Sequence, residues 1–346
     1  MTDPRQEQAL TWLKHTLQNE EIILHPASED AGFRRYFRVK RPNQPDQMLM
    51  DCPPDKEDVK PFIHVAGLLQ QAKVLVPDIL AQHAESGFLL ITDLGEKTFL
   101  QTLKPTLTDD TDVDYQLSDH LMTQAIDTLV NIQQFADASS LPVYDDALLR
   151  RELTLFTDWF LIRHCQLDLT DDDKTTINDL FEKLIARALS QPKTFVHRDY
   201  MVRNLMVSQD NRPGVIDFQD AVSGPITYDC ASLFQDAFIS WDEELTLDWL
   251  IKYREKAKAA GLPVGSDIAA FYDDYQWMAM QRHLKVLGIF CRLHYRDGKS
   301  QYLSELPRFY RYVRQTARRY NELAALLPLL DRAEEAFANV QQETKS

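Results

Sequence analysis

The sequence predicts an α+β chain folded as two lobes, a small β-rich lobe over residues 1–94 and a larger, mainly helical lobe over residues 95–346. Short apolar runs separated by turn residues crowd the first 92 positions, with a single helical stretch inserted among them. From about residue 115 the apolar residues recur at helical spacing instead. Two polar clusters, each flanked by apolar residues, lie close together at 194–207 and 214–220, where strand ends would gather carboxylates. The 346 residues suffice for two lobes around a cleft, and at 44% hydrophobic they can fill a sizeable core.

In chain order, Ala9, Leu10, Leu13 and Leu17 share one face of a helix expected over 5–18. Ile22-Ile23-Leu24 reads as a strand. A polar segment, Ala27 to Gly32, then turns into a second strand, Phe33-Arg34-Arg35-Tyr36-Phe37-Arg38-Val39. Met48-Leu49-Met50 is a third strand, ended by Pro53-Pro54, and Val59 to Ala72 has helical spacing. Pro77 to Leu80 and Phe88 to Ile91 are two more strands, the second running into the turn Thr92-Asp93-Leu94-Gly95. Beyond it, Met122, Ile126, Leu129 and Gln133 define one helical face, and Ile177, Phe181, Leu184 and Ala188 another. Helices are also expected over 268–294 and 305–327, with a frayed tail from Gln341.

Composition narrows the function. A formal net charge of −15 and the lack of a basic patch argue against nucleic-acid binding. Cys52, Cys165, Cys230 and Cys291 are scattered and form no CxxC pair, so neither a zinc site nor a disulfide framework is expected, and free thiols suit the cytoplasm. The first ten residues are polar, without the apolar core of a secretory signal, and no run approaches the ~20 apolar residues of a membrane span. The expectation is a cytoplasmic monomer acting on a small molecule.

The chemistry concentrates in Thr194-Phe195-Val196-His197-Arg198-Asp199-Tyr200-Met201-Val202-Arg203-Asn204-Leu205-Met206-Val207 and Gly214-Val215-Ile216-Asp217-Phe218-Gln219-Asp220. Read locally, these are a strand, a polar loop, a strand, a turn from Asn211 to Gly214 and a further strand. Asp199 precedes Asn204 by five residues and Asp217 by eighteen. Phosphoryl transfer needs these residue types. Magnesium prefers a carboxylate, an amide carbonyl and phosphate oxygens, which Asp217 and Asn204 can begin to supply. The acceptor hydroxyl needs a group to orient it and take its proton, the role expected of Asp199. A lone loop Asp or Asn is usually a turn former or a helix cap. Here the His-x-Asp-x4-Asn pattern followed by Asp-Phe matches the kinase catalytic loop and metal-binding segment. His197 is expected to brace the loop and not to act as base.

These segments resemble the aminoglycoside phosphotransferase and choline kinase-like superfamily. The resemblance implies a protein-kinase-like fold, ATP and Mg²⁺ as cofactors, and a hinge at Ile91-Thr92-Asp93-Leu94-Gly95 whose backbone meets adenine. Phe33 to Val39, Met50-Asp51-Cys52-Pro53-Pro54, Asp217 to Val222, Gly224 to Asp229 and Asp236 to Trp241 are in addition similar to bacterial anomeric sugar kinases of cell-wall (peptidoglycan) recycling. These act on N-acetylmuramate and N-acetylglucosamine, so the resemblance implies an amino sugar as substrate. Asp229 matches a family position that supports the catalytic loop from a helix start.

The chain also departs from the kinase pattern. The loop between the first two strands has one glycine, Gly32, and the third strand has no lysine. The phosphate-binding charge must come from elsewhere, with Arg34, Arg35 and Lys56 the nearest candidates. Nucleotide contacts are therefore assigned to Gly32, Arg34, Arg35, Thr92, Asp93 and Leu94. Contacts to the sugar are assigned to Arg203, Asp220, Arg282 and His283, with Arg282 facing a substrate carboxylate; a solvated helix face is the alternative for Gln281 to Lys285. Two other functions fit the same motifs, an antibiotic or other small-molecule hydroxyl kinase and a nucleotide-binding pseudokinase. A protein kinase fits less well, because no Ala-Pro-Glu follows Asp217.

Overall fold

The computed structural model describes residues 3–29, 33–104, 115–208 and 212–343; Gly32, Asn211 and the last residues of the tail lie outside the described residues. α1 (Pro4–Leu17) begins at Asp3, whose side chain accepts the N–H groups of Arg5 at 3.0 Å and Gln6 at 3.4 Å, and Pro4 fills a first-turn position where no N–H is needed. There follow β1 (Ile23–Glu29), β2 (Arg35–Lys40), β3 (Gln47–Asp51), α2 (Lys60–Gln71), β4 (Ile79–His83) and β5 (Phe88–Thr92). The strands form one antiparallel sheet in the order β1-β2-β3-β5-β4. β1 continues to Glu29 through a bulge at Pro26, further than the apolar run suggests. β4 starts at Ile79 instead of Pro77, because proline has no N–H for the ladder to β5.

Side-chain alternation sorts the sheet. Phe37, Val39, Leu49, Phe88 and Leu90 pack with Ala9 and Leu13 of α1. The opposite face presents Met50, Leu89 and Ile91 to α2 and the rest of the chain. Arg35 shares the face of Phe37 and Val39, and it is held there by Asp3 and Asp51. Arg34, one residue earlier, and Arg38 point to the other side.

The larger part comprises α3 (Phe99–Leu103), α4 (Tyr115–Phe135), α5 (Asp146–Leu155), α6 (Asp171–Ser190), β6 (Lys193–Val196), β7 (Leu205–Met206), β8 (Gly214–Val215), β9 (Val222–Pro225), α7 (Tyr228–Phe234), α8 (Glu243–Ala259), α9 (Ile268–Asp297), α10 (Leu306–Arg319) and α11 (Leu327–Glu343). The expected faces of α4 and α6 are buried at all eight positions. The stretch predicted as one helix over 305–327 breaks at Tyr320, whose extended backbone leads into a 3₁₀ turn, Asn321–Leu326, ahead of α11. The strands around the polar clusters form two separate ribbons, β6 with β9 and β7 with β8. No described helix is long and apolar enough to cross a membrane.

α9 is the axle of the helical part. Gln281, Arg282, His283, Leu284 and Lys285 are all buried, so this stretch is no solvated face. α5 runs straight into a π-helix, Phe156–His164, and α9 crosses that junction at Gly288. A Cβ on Gly288 would sit 2.3 Å from both the carbonyl carbon and the oxygen of Leu155. Backbone cannot give way as a flexible side chain can, so Gly288→Ala is expected to lower stability by about 1–3 kcal/mol, read as a fall in thermal midpoint. An unchanged midpoint would show that the two elements separate without cost.

Candidate active site

β6 feeds directly into the loop that carries Asp199. His197 is fully buried. Its Nε2 lies 3.1 Å from the carbonyl oxygen of Ile216, and its Nδ1 lies 3.3 Å from the Asp199 N–H. Those partners assign the neutral tautomer, with Nε2–H donating and Nδ1 accepting. Burial holds His197 in that state, lowering its pKa to about 4 against the pull of the Asp199 charge. The ring thus ties the Asp199 backbone to the end of β8.

Two buried carboxylates, at opposite ends of α7, hold the loop from below. Asp229 accepts the His197 N–H at 2.7 Å and the Arg198 N–H at 3.0 Å. Asp236 accepts the Val202 N–H at 3.0 Å and the Phe238 N–H at 2.7 Å. Burial pushes the Asp229 pKa up to about 7 and raises that of Asp236, with these N–H bonds and the nearby Arg282 charge opposing. Arg198 itself adopts φ +75°, a left-handed conformation that costs a non-glycine residue energy. Its guanidinium pairs with Glu152 of α5 and donates to the Asp220 carbonyl at 3.4 Å. Glu152 in turn meets Lys285 at 3.1 Å and the Tyr144 hydroxyl. Burial opposes its charge, yet Lys285 and Arg198 lower its pKa to about 2.

Asn204, in a 3₁₀ turn over Val202–Asn204, joins the two polar clusters. Its Nδ2 donates to the Asp199 carbonyl at 2.9 Å and approaches Asp217 Oδ2 at 3.4 Å, leaving its own carbonyl oxygen as an acceptor. Asp217 stands at φ +62°, and its Oδ1 accepts from Gln219 at 2.9 Å and from Arg34 at 3.3 Å. Asp199, Asn204 and Asp217 are therefore one constellation. Asn204 and Asp217 also line a cleft of about 430 Å³ that reaches the sheet at Met48, Ile91, Thr92, Asp93 and Leu94. A carboxylate and an amide carbonyl facing a cleft of this size fit Mg²⁺, which takes few protein ligands and completes its shell with phosphates and water.

The nucleotide and sugar contacts expected from the sequence divide. Thr92, Asp93 and Leu94 line the cleft, and Asp93 is held by Arg38 at 2.6 Å. Arg34 lies between Glu57 at 3.2 Å and Asp217 at 3.3 Å and does not line the cleft. Arg35 is turned to the opposite face by strand alternation, and Lys56 lies over the exposed Phe33 ring. Arg203 lines the cleft and stacks on Phe238 at 5.0 Å; Asp220 is exposed beside it in sequence to Gln219. Arg282, 2% exposed, acts on Asp229 and Asp236. His283 is fully buried, stacked against Tyr312 at 4.9 Å and edge-on to Phe309 at 5.4 Å. The structure does not bring these last two to the cleft surface. Sequence reading missed Glu57, Arg38, Gln219, Asp236 and the Glu152–Lys285 pair. Gln219 and Asp236 lay within segments already singled out, whereas nothing local marks Glu152.

A two-lobed fold with this loop and metal segment defines a phosphotransferase of the kinase type. The model of the phosphotransferase enzyme family (APH) matches residues 23–263, and the chain belongs to that family. Two relatives extend the match over nearly the whole chain. An N-acetylmuramate/N-acetylglucosamine kinase of Pseudomonas aeruginosa is 47% identical over 89% of this chain and 87% of its own length. One of the same name from Neisseria meningitidis is 43% identical over 94% of this chain and 95% of its own. Among solved structures, the choline kinase LicA of Streptococcus pneumoniae superposes with a TM-score of 0.64 at 13% identity, over 90% of this chain and 99% of its own. An ADP-bound aminoglycoside phosphotransferase, APH(2'')-Ib, gives 0.59 at 15%, over 87% and 96%. These two share the fold.

His283 gives a pH test. Burial, then the Arg282 charge, lowers its pKa well below 6.5 in the folded state. The unfolded chain takes up this proton as pH falls through 6.5, so the stability contributed by a neutral His283 is complete above 6.5 and lost below it. His283→Phe removes that loss. Relative to wild type, the variant is expected to gain up to about 2 kcal/mol between pH 7.5 and pH 5. Denaturant midpoints at both pH values measure it; a difference independent of pH would contradict a buried neutral imidazole.

Proposed function

We propose that the chain is an ATP- and Mg²⁺-dependent kinase that transfers the γ-phosphate to the anomeric C1 hydroxyl of N-acetylmuramate and N-acetylglucosamine. It would act as a cytoplasmic monomer that returns cell-wall amino sugars to metabolism. The observation that carries this reading is the Asn204 amide, which ties the Asp199 backbone to Asp217 at a cleft that Asn204 and Asp217 line, in a chain 47% identical to a kinase so named. Residues 1–94 are taken as the nucleotide-binding lobe and 95–346 as the catalytic and substrate-binding lobe.

In this mechanism adenine lies against Met48, Ile91 and the Thr92-Asp93-Leu94 backbone, and the phosphates extend toward Asn204 and Asp217. Asn204 and Asp217 would hold Mg²⁺, which would supply positive charge against the phosphates. Asp199 orients the C1 hydroxyl and accepts its proton as that oxygen bonds to the γ-phosphorus. The bond from phosphorus to the bridging oxygen breaks, and its electron pair leaves with ADP. The anomeric hydroxyl is more acidic than an ordinary alcohol, which suits an aspartate base. His197, Asp229 and Asp236 keep the loop in place. The loop between β1 and β2, with Gly32, is assigned to the phosphates.

Asp199→Asn is expected to bind nucleotide normally and to lose about 10² to 10⁴ of turnover, the usual scale for a general base. Turnover within a few-fold of wild type would remove Asp199 from that role. For the metal ligands, raising Mg²⁺ should partly restore an Asn204→Ala variant and hardly restore Asp217→Ala, because the carboxylate provides the charge. Titration of activity against Mg²⁺ decides, and identical metal dependence in all three proteins would contradict the assignment.

The acceptor position is tested by phosphorus NMR of the product. Phosphate on C1 is alkali-stable and acid-labile, and that product is expected from both sugars. Phosphate on C6, or no product from either sugar, would overturn the substrate while leaving the family intact.

A further inference from the structure

Two cations line the cleft among its described residues, Arg38 and Arg203. Arg38 is committed at the hinge end, with its Nε 2.6 Å from Asp93 and its Nη2 3.3 Å from the Gly95 carbonyl. Arg203 lies at the opposite end, in the same 3₁₀ turn as Asn204 and on the same cleft wall as Asp217. Where protein kinases place a lysine on the third strand, the cleft side of this sheet offers Met48 and Met50. Arg34 stands behind Asp217, 8% exposed and paired with Glu57, and does not line the cleft.

The position of Arg203 is set twice by one side chain. Asp236 holds the N–H of Val202, the residue before it, and also the N–H of Phe238, whose ring lies 5.0 Å below the guanidinium. A guanidinium over an aromatic face presents its N–H groups edge-on, the geometry that matches two oxygens of a phosphoryl group. Phe238 belongs to the segment after α7, whereas Asn204 and Asp217 line the cleft together with Arg203. Arg203 therefore shares a cleft with the two residues assigned to Mg²⁺ and is supported from α7's far end through Phe238.

We propose that Arg203 is a catalytic residue that contacts the phosphoryl group in flight. As the acceptor oxygen bonds to phosphorus, its proton passes to Asp199 and the bridging oxygen leaves with ADP. The charge spread over the three equatorial oxygens is met by the Arg203 guanidinium. This supplies from the catalytic loop the cation missing from the third strand. The inference rests on the phosphoryl-transfer reading above but not on which sugar accepts.

Arg203→Lys and Arg203→Met test it, with folding checked by thermal melting and ADP affinity by calorimetry. Expected are a wild-type ADP affinity and a kcat lower by about 10² to 10³ on both N-acetylmuramate and N-acetylglucosamine, with KM changed less than about threefold. Slow ATP hydrolysis by water, which requires no sugar, should fall by a similar factor. Added guanidinium should restore part of the rate of Arg203→Ala. Lysine keeps the charge but not the planar fork, so Arg203→Lys remains readable if the methionine variant melts early. A raised KM confined to N-acetylmuramate would instead make Arg203 a reader of that substrate's carboxylate, and an unchanged kcat would remove it from the reaction. If wild type phosphorylates neither sugar, the sugar reading fails and the hydrolysis comparison still decides on Arg203.

Discussion

The active loop depends on carboxylates buried where water cannot reach them. Asp229 holds the N–H groups of His197 and Arg198, and Asp236 holds that of Val202, so the loop is gripped on either side of Asp199. The grip is needed because Arg198 adopts a left-handed backbone that it would not keep in isolation. Burying the acids has its own cost, visible in the raised pKa values of both, and Arg282 offsets part of it from α9. That is why a helix in the heart of the molecule carries Arg282 with little access to solvent, while Gln281 and Lys285 beside it serve the buried Glu152.

Charge is thus arranged in layers in a protein whose net charge is −15. Beneath the loop lies the Glu152, Arg198 and Lys285 cluster, tied in by Tyr144 and Tyr228. At the level of the cleft stand Asp217, Asn204 and Arg203. Arg34, itself paired with Glu57, meets Asp217 directly, so the two lobes share an ion pair beside the cleft. Pairs as enclosed as these persist in salt far better than exposed ones.

Much of this was legible in the sequence because it is local. Helical faces, most strand runs and the Asp199-Asn204-Asp217 spacing are written in neighbouring residues, and in the structure the Asn204 amide joins the Asp199 backbone to Asp217. Arg34 and Arg35 show the limit. Both were equal candidates, and only the alternation of β2 sends one to Asp217 and the other to Asp51. Arg282 and His283 failed differently. A polar run in an amphipathic helix normally marks solvent or a binding face, but α9 is enclosed on every side over 278–288, and its polar residues there serve other buried groups. Glu152 meets Arg198 across 46 positions, a pairing that no spacing rule anticipates.

The two ribbons that carry the site, β6 with β9 and β7 with β8, share no hydrogen-bonded ladder. In a continuous sheet the gap between neighbouring strands is fixed by the backbone at about 4.8 Å. Here the Asp199 loop and the Asp217 segment are joined by a backbone hydrogen bond, the Ile216 N–H to the Asn204 carbonyl at 3.1 Å, and by side chains, the His197 ring to the Ile216 carbonyl and the Asn204 amide between both. Those two residues act as spacers as well as chemical groups. Replacing either side chain would remove a tie between the ribbons and leave each ribbon's own ladder, β6 with β9 and β7 with β8, in place.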